Sequence, residues 1–257
     1  MAGLDESSPY MRAQANLSEL RLDEMAASLP DYVGLVADGE RDLAQAMAET
    51  TDSEVAARRG RIMRQRIRSS GLPYVKTLAD FDWAFQPSVP RAKVEELATL
   101  RFMDEAHNVL LVGSPGVGKT HLAVSIGIEA VRAGREVRFV DCAKLVDDLR
   151  DASSRGILGK RLKYYAHCKL LIIDELGYLG IDKEGADLMF QLVSTRYEQR
   201  STIVTTNVGI GGWAGVFGDE VAASAIADRV CHHCTMIKIT GRSYRLKDLP
   251  ADKRREE

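Results

Sequence analysis

Val109-Leu110-Leu111-Val112-Gly113-Ser114-Pro115-Gly116-Val117-Gly118-Lys119-Thr120 joins an apolar run to a glycine-rich turn and a Lys-Thr pair. The run has no polar alternation, as expected of a parallel strand buried on both faces. Residues 113–120 fit the pattern G-x-x-x-x-G-K-[ST], set between that strand and a helix opening at Lys119. Glycines there let backbone N–H groups converge on a phosphate, and the helix N-terminus adds its dipole to the same anion. The reading is a nucleotide cradle of Gly113, Ser114, Pro115, Gly116, Val117, Gly118, Lys119, Thr120 and His121. Lys119 is expected to reach the β- and γ-phosphates and Thr120 to ligate Mg²⁺.

Outward from this loop the pattern strand, turn, helix repeats. A helix over 119–133 closes at Gly134 and VRFV follows at 137–140. LLIID occupies 170–174, a helix covers roughly 184–199, and TIVTT stands at 202–206. Short β-branched runs between amphipathic helices predict an α/β fold with a parallel sheet. Ligands of such sheets bind at the carboxyl ends of the strands, where Asp174 and Glu175 stand. Asp174 is expected to hold Mg²⁺, and Glu175 to act as the base that polarises an attacking water. Asn207, ending the next strand, is expected to orient that water or contact the γ-phosphate, although a strand-ending Asn is also an ordinary turn former.

The first seventy or so residues read as a small helical domain. Leu17, Leu20 and Met25 fall near helical spacing, as do Leu43 and Met47, with Pro30, Gly34 and Gly39 expected to break the pattern between them. The last helix carries Arg58, Arg59, Arg61, Arg64, Arg66 and Arg68 with no acid among them, and Gly71 and Pro73 end it. A solvated face and a contact surface both fit that run. Three spans result: 1–70, a helical partner-binding domain; 71–107, a connector with alternating Phe81, Trp83 and Phe85; and 108–250, the α/β core.

Lys+Arg 35 against Asp+Glu 37 leaves a net charge of -2, so any nucleic-acid contact must come from local clusters. No apolar stretch approaches the ~20 residues of a membrane helix. The acidic start, MAGLDESSPYMRAQ, lacks the form of a signal peptide, and four cysteines are too few for a disulfide framework, so a cytoplasmic setting without membrane contact is expected. Cys231-His232-His233-Cys234 invites a zinc reading, but no partner pair of ligands stands elsewhere in the chain.

On these residues the chain resembles the IstB-type ATP-binding proteins of insertion sequences, relatives of the DnaC-type helicase loaders among the AAA+ ATPases. The likeness runs from about Glu49 to Leu246. It rests on Lys76-Thr77-Leu78 with Phe81-Asp82-Trp83, the phosphate loop with His121-Leu122-Ala123, and Asp174-Glu175-Leu176-Gly177-Tyr178. It continues through Arg196-Tyr197-Glu198, Thr206-Asn207, Trp213, Asp228-Arg229 and Gly241-Arg242-Ser243-Tyr244-Arg245.

The resemblance implies a P-loop AAA+ core with a very short C-terminal lid, ATP and Mg²⁺ as ligands, and a nucleotide placed between protomers of a ring or helical homo-oligomer. It implies that residues before the loop cover the adenine. Arg229 matches the arginine finger offered to a neighbour's ATP, and Arg245 the sensor arginine of the same chain. The implied function is an ATP-hydrolysing transposition helper that binds double-stranded DNA largely without sequence preference and recruits a cognate transposase. The alternative is a DnaC-like replicative helicase loader; a small-molecule kinase is a further class, opposed by the lack of an evident acceptor pocket. The segment 143–167 is far longer than the ~2 to 6 residues of a plain connection, and by the resemblance it lines the inner surface of the assembly. Its second helix, from Leu158 onward, is expected to carry the DNA contact through Lys160, Arg161 and Lys163, with Arg155 ahead of it as a further DNA-binding residue.

Overall fold

The computed structural model of the chain describes residues 8–247. The acidic start before Ser8 and the charged run 252–257, with the last residues of the 108–250 span, lie outside the described residues. Two compact units are present, one ending at Gln65 and the other beginning at Arg66.

In the first unit, α1 (Pro9–Glu19) opens with Pro9 at its first position and with the Ser8 hydroxyl accepting from Met11 N at 3.3 Å. Helix α2 spans Asp23–Ala37 and α3 spans Leu43–Ser70. Pro30 and Gly34, expected to break the helix, both lie inside α2. The proline ring forfeits one backbone hydrogen bond; Leu29, Val33 and Val36 on the same helix line an apolar hollow of about 430 Å³ with Leu17, Leu43 and Met47, of which Val33, Leu43 and Met47 stay exposed. Gly34 has no left-handed φ to demand a glycine, whereas Gly39, with φ 73, does end the helix. Glu54 on α3 is 4% exposed; its carboxylate accepts from Glu24 N at 2.8 Å at the start of α2 and from Arg61 Nη2 at 2.6 Å. Arg61, one of the arginine run, is thereby paired.

The second unit is built on a five-stranded sheet in the order β2-β3-β4-β1-β5, every pairing parallel. Strand β1 covers Asn108–Gly113, β2 Val137–Asp141, β3 Leu170–Leu176 and β4 Ser201–Thr206. These coincide with the apolar runs, and every residue of β4 is buried. The sequence reading missed β5 (Cys234–Ile239), whose burial alternates because it is an edge strand with Met236 and Lys238 exposed. Residues 71–107 supply α4 (Arg91–Ala98) and α5 (Arg101–Asp104), which bury Val94, Leu97 and Phe102.

Helix α6 (Lys119–Arg132) buries Leu122, Val124, Ile126, Ile128 and Val131. It lies so close to the sheet that a Cβ on Gly127 would meet Ile172 Cδ1 at 2.8 Å. Helices α7 (Cys142–Ser154), α8 (Leu158–His167), α9 (Lys183–Arg196), α10 (Trp213–Phe217) and α11 (Glu220–Cys231) contribute Leu145, Leu149, Tyr165, Leu192, Trp213, Phe217 and Ile226 to the core that includes Leu171 and Ile173 of β3. Gly156, at φ 68, makes the expected break between α7 and α8. Among the described residues no helix is long and apolar enough to cross a membrane.

Candidate nucleotide site

The turn between β1 and α6 is held by contacts that only glycine permits at two positions. Gly118, at φ 101, lies where a Cβ would come within 2.8 Å of the Phe81 ring, and Gly116, at φ 78, where one would come within 2.0 Å of Ser243 Oγ. The loop is therefore walled by two segments distant in sequence. One is 74–86: His121 Nε2 meets Thr77 O at 3.0 Å, Ser125 Oγ donates to Lys76 O at 3.0 Å, and Phe81 packs edge-on against Trp83 and His121. The other is 241–247: Tyr244 N donates to Gly116 O at 2.8 Å, and Phe85 packs edge-on against Tyr244. The alternating aromatics of the connector thus lie against the loop and the tail. Burial lowers the affinity of His121 for a proton.

Between the walls lies a cavity of about 340 Å³, whose lining includes Tyr74, Phe81, Pro115 to His121, Glu175, Tyr178, Thr205, Asn207 and Arg245. Lys119 is 9% exposed and donates from Nζ to Gly113 O at 2.7 Å and Ser114 O at 2.9 Å. An ammonium has three donors, so one remains for an anion. Burial lowers its affinity for a proton, while the carboxylates of Asp174 and Glu175 work in the opposite direction.

Asp174 is 6% exposed and accepts from Thr120 Oγ1 at 2.9 Å and from Thr205 Oγ1 at 2.5 Å. Burial raises its pKa above the usual value, with these hydroxyls opposing and Asp141, its register partner on β2, adding like charge. At its side the β3/β4 register jumps from Ile173↔Val204 to Leu176↔Thr206. Glu175 in this irregularity has φ 61, a left-handed conformation that costs a non-glycine residue on the order of 1–3 kcal/mol. Its N–H donates to Thr205 Oγ1 at 3.0 Å, and its side chain reaches the cavity while Asp174 stays beneath it. Partial burial, then Asp174, then Asp141 raise the Glu175 pKa.

The hydroxyl of Thr120 and the carboxylate of Asp174 form a hard oxygen set that fits Mg²⁺. The structure brings the loop, Asp174, Glu175, Asn207 and Arg245 to one place. It does not bring Arg229 there: that guanidinium lies on α11, 4.6 Å from the Phe190 ring centre, and donates to Ala225 O at 3.1 Å. The expected DNA helix also differs in detail. Arg161 is held by Asp148 at 2.5 Å and lies over the Tyr164 and Tyr165 rings, and Arg155 pairs with Asp151 at 3.0 Å. Lys160 and Lys163 are exposed. Sequence reasoning missed Thr205 and Asp141; only their places at strand ends beside β3 could have signalled them.

The family of IstB-like ATP binding proteins matches residues 15–251. This chain belongs to that family. Among IstB-like relatives, the protein named for ATP binding in insertion sequence IS232 of Bacillus thuringiensis subsp. berliner is 41% identical over 93% of this chain and 96% of its own length. Its counterpart in IS21 of Pseudomonas aeruginosa is 40% identical over 90% and 88%. Of solved structures, the DnaC helicase loader superposes with a TM-score of 0.53 at 24% identity, covering 68% of this chain and 98% of its own. AMPPCP-bound DnaA from Aquifex aeolicus gives 0.55 at 20%, covering 69% and 54%. These two likenesses show the AAA+ fold.

The raised Asp174 pKa has a consequence for stability. The fold favours the protonated acid, so ionisation costs stability; the cost is absent below the unfolded pKa and grows as pH rises through the folded one. Asp174→Asn should therefore melt a few degrees higher than the parent at pH 8 without nucleotide or Mg²⁺, on the order of magnitude of ~1 kcal/mol effects, and the gap should close toward pH 3. A variant that melts lower at every pH would show that the carboxylate stabilises the fold.

Proposed function

We propose that this chain is an ATP-hydrolysing transposition helper that assembles with copies of itself on double-stranded DNA and recruits a transposase. The observation that carries this reading is the Thr120–Asp174–Thr205 network with Glu175 set one residue beyond it on the rim of the phosphate-loop cavity. The loop N–H groups and Lys119 hold the β- and γ-phosphates, and Thr120 and Asp174 would hold Mg²⁺, which would supply neutralising charge there. Glu175 accepts a proton as a water oxygen bonds to the γ-phosphorus and the bond to the β–γ bridging oxygen breaks. Asn207 orients that water, and Arg245 neutralises charge from the same chain. Arg229, away from its own cavity, is the group offered to a neighbour's ATP. The insertion-sequence names of the relatives support transposition over helicase loading.

Lys160 and Lys163, three residues apart on α8, present their charge on one helix face and carry the DNA contact. Replacing both with Ala should weaken binding to all duplex sequences and lower the salt slope by up to about one unit per lost contact, without changing basal phosphate release. An unchanged slope would move the DNA site to another surface. The apolar hollow of the first unit, with Leu20 and Leu43 each 68% exposed, is the docking surface for the transposase. Leu20→Asp with Leu43→Asp should keep ATPase activity and lose capture of the transposase encoded by the same insertion sequence. Retained capture would remove this surface from that role.

A further inference from the structure

Strands β1, β4 and β5 begin at the edge of the sheet opposite the nucleotide cavity, and the turns leading into β4 and β5 gather a second chemical cluster there. The turn after α9 carries Tyr197 and Glu198, the latter at φ 55, and the turn after α11 carries His232 and His233. Glu198 Oε1 lies 3.4 Å from His233 Nε2 and 3.8 Å from His232 Nδ1. One ligand atom from each of the three residues falls within 4.8 Å of the others.

The imidazoles are held in this arrangement. Their ring centres are 4.0 Å apart, His107 stacks on His233 at 5.3 Å and 12°, and the Tyr197 hydroxyl meets His232 Nδ1 at 2.6 Å. Beneath them Asn108 N donates to His233 O at 2.7 Å and Asn108 Nδ2 to Val230 O at 3.0 Å, fixing the end of α11 to the start of β1. As neutral rings the two imidazoles each offer a lone pair to a shared cation beside the Glu198 carboxylate.

We propose that Glu198, His232 and His233 form a binding site for a divalent transition cation of the Zn²⁺ class, which clips the α9–β4 turn to the α11–β5 turn. Imidazole with carboxylate suits Zn²⁺ and its neighbours in the first transition row, and not Mg²⁺. Three protein ligands and a water complete four-coordination. All three side chains are exposed, so the cation reaches them without disturbing the core, and at His232 Nδ1 it replaces the Tyr197 hydroxyl. The Cys231-His232-His233-Cys234 run enters the site through its histidines alone. The Cys231 and Cys234 thiols are not among the convergent ligand atoms.

The test is titration of the metal-stripped full chain, free of any affinity tag, with Co²⁺, followed by displacement with Zn²⁺ and, separately, with Mg²⁺. Expected are saturation at one equivalent, visible bands of a four-coordinate nitrogen–oxygen site without a thiolate charge-transfer band, and displacement by Zn²⁺ alone. Glu198→Gln and His233→Gln, which keep side-chain size, should each weaken binding at least about tenfold, since even residues that only orient metal ligands are worth that much. Cys231→Ser with Cys234→Ser should leave it unchanged. Absence of saturable uptake, full retention in both ligand variants, or loss in the cysteine variant would each overturn the site.

Discussion

Glu175→Gln should hold ATP as tightly as the parent and release phosphate about 10²- to 10⁴-fold more slowly, the usual worth of a positioned base. The amide keeps the shape and the left-handed backbone of position 175 but cannot accept the proton. Lys119→Ala should instead lose ATP binding, because it removes a buried cation whose remaining donor faces no other anion in the loop. The two defects are separable by measuring nucleotide binding and single-turnover phosphate release on the same preparations. A Glu175→Gln chain mixed with Arg229→Ala should recover activity that depends on the mixing ratio, since some sites then combine an intact base with an intact neighbouring arginine. Wild-type turnover in Glu175→Gln would remove Glu175 from its role, and no recovery at any ratio would count against Arg229 acting on a neighbour.

The largest stability effect is expected at Arg196, which is 2% exposed and whose guanidinium is satisfied by carbonyls and a hydroxyl. Nη1 donates to Tyr165 O, Ala166 O and Cys168 O at 2.8, 3.1 and 3.0 Å, Nη2 to Ser201 O at 2.5 Å, and Nε to Thr202 Oγ1 at 3.0 Å. This one fork ties the end of α8 to the start of β4. Burial lowers the Arg196 pKa, so the charge is itself costly, but its removal strands several buried acceptors at about 1–3 kcal/mol each. Arg196→Met should lower stability by about 4 kcal/mol and the melting temperature by roughly 10 °C. Arg196→Lys should fall between, because a point charge cannot reproduce the planar fork. A melting temperature within a degree or two of the parent in the Met variant would show that the acceptors find other partners.

Strands β1, β3 and β4 were legible because burial on both faces leaves mostly apolar and β-branched residues in them, and β2, though at the edge opposite β5, keeps Val137, Phe139 and Val140 in a short apolar run. Strand β5 was not, because an edge strand keeps Met236 and Lys238 in solvent and loses the continuous apolar run. In the helical unit Pro30 misled, since α2 continues through it despite the backbone hydrogen bond it forfeits. At the candidate site, the residues proposed to bear chemistry announce themselves through local spacing, as Gly113 to Thr120 and Asp174-Glu175 do. The residues that hold them do not: Thr205 meets Asp174 across 31 positions and Thr120 meets it across 54, pairings that no local pattern encodes. The arginines show the same limit, for nothing in the run of α8 distinguishes Arg161, spoken for by Asp148, from the exposed Lys160 and Lys163.

The bond from Tyr244 N to Gly116 O fastens the phosphate loop to a short tail segment that also carries Arg245 into the cavity. Loosening that segment would free the outer side of the loop and carry Arg245 away from the cavity together, because both depend on the same short stretch. With Arg245 in its proposed role, release of the nucleotide and its cleavage would share one latch, so that a chain opening early would let go of its ligand and of the arginine at once.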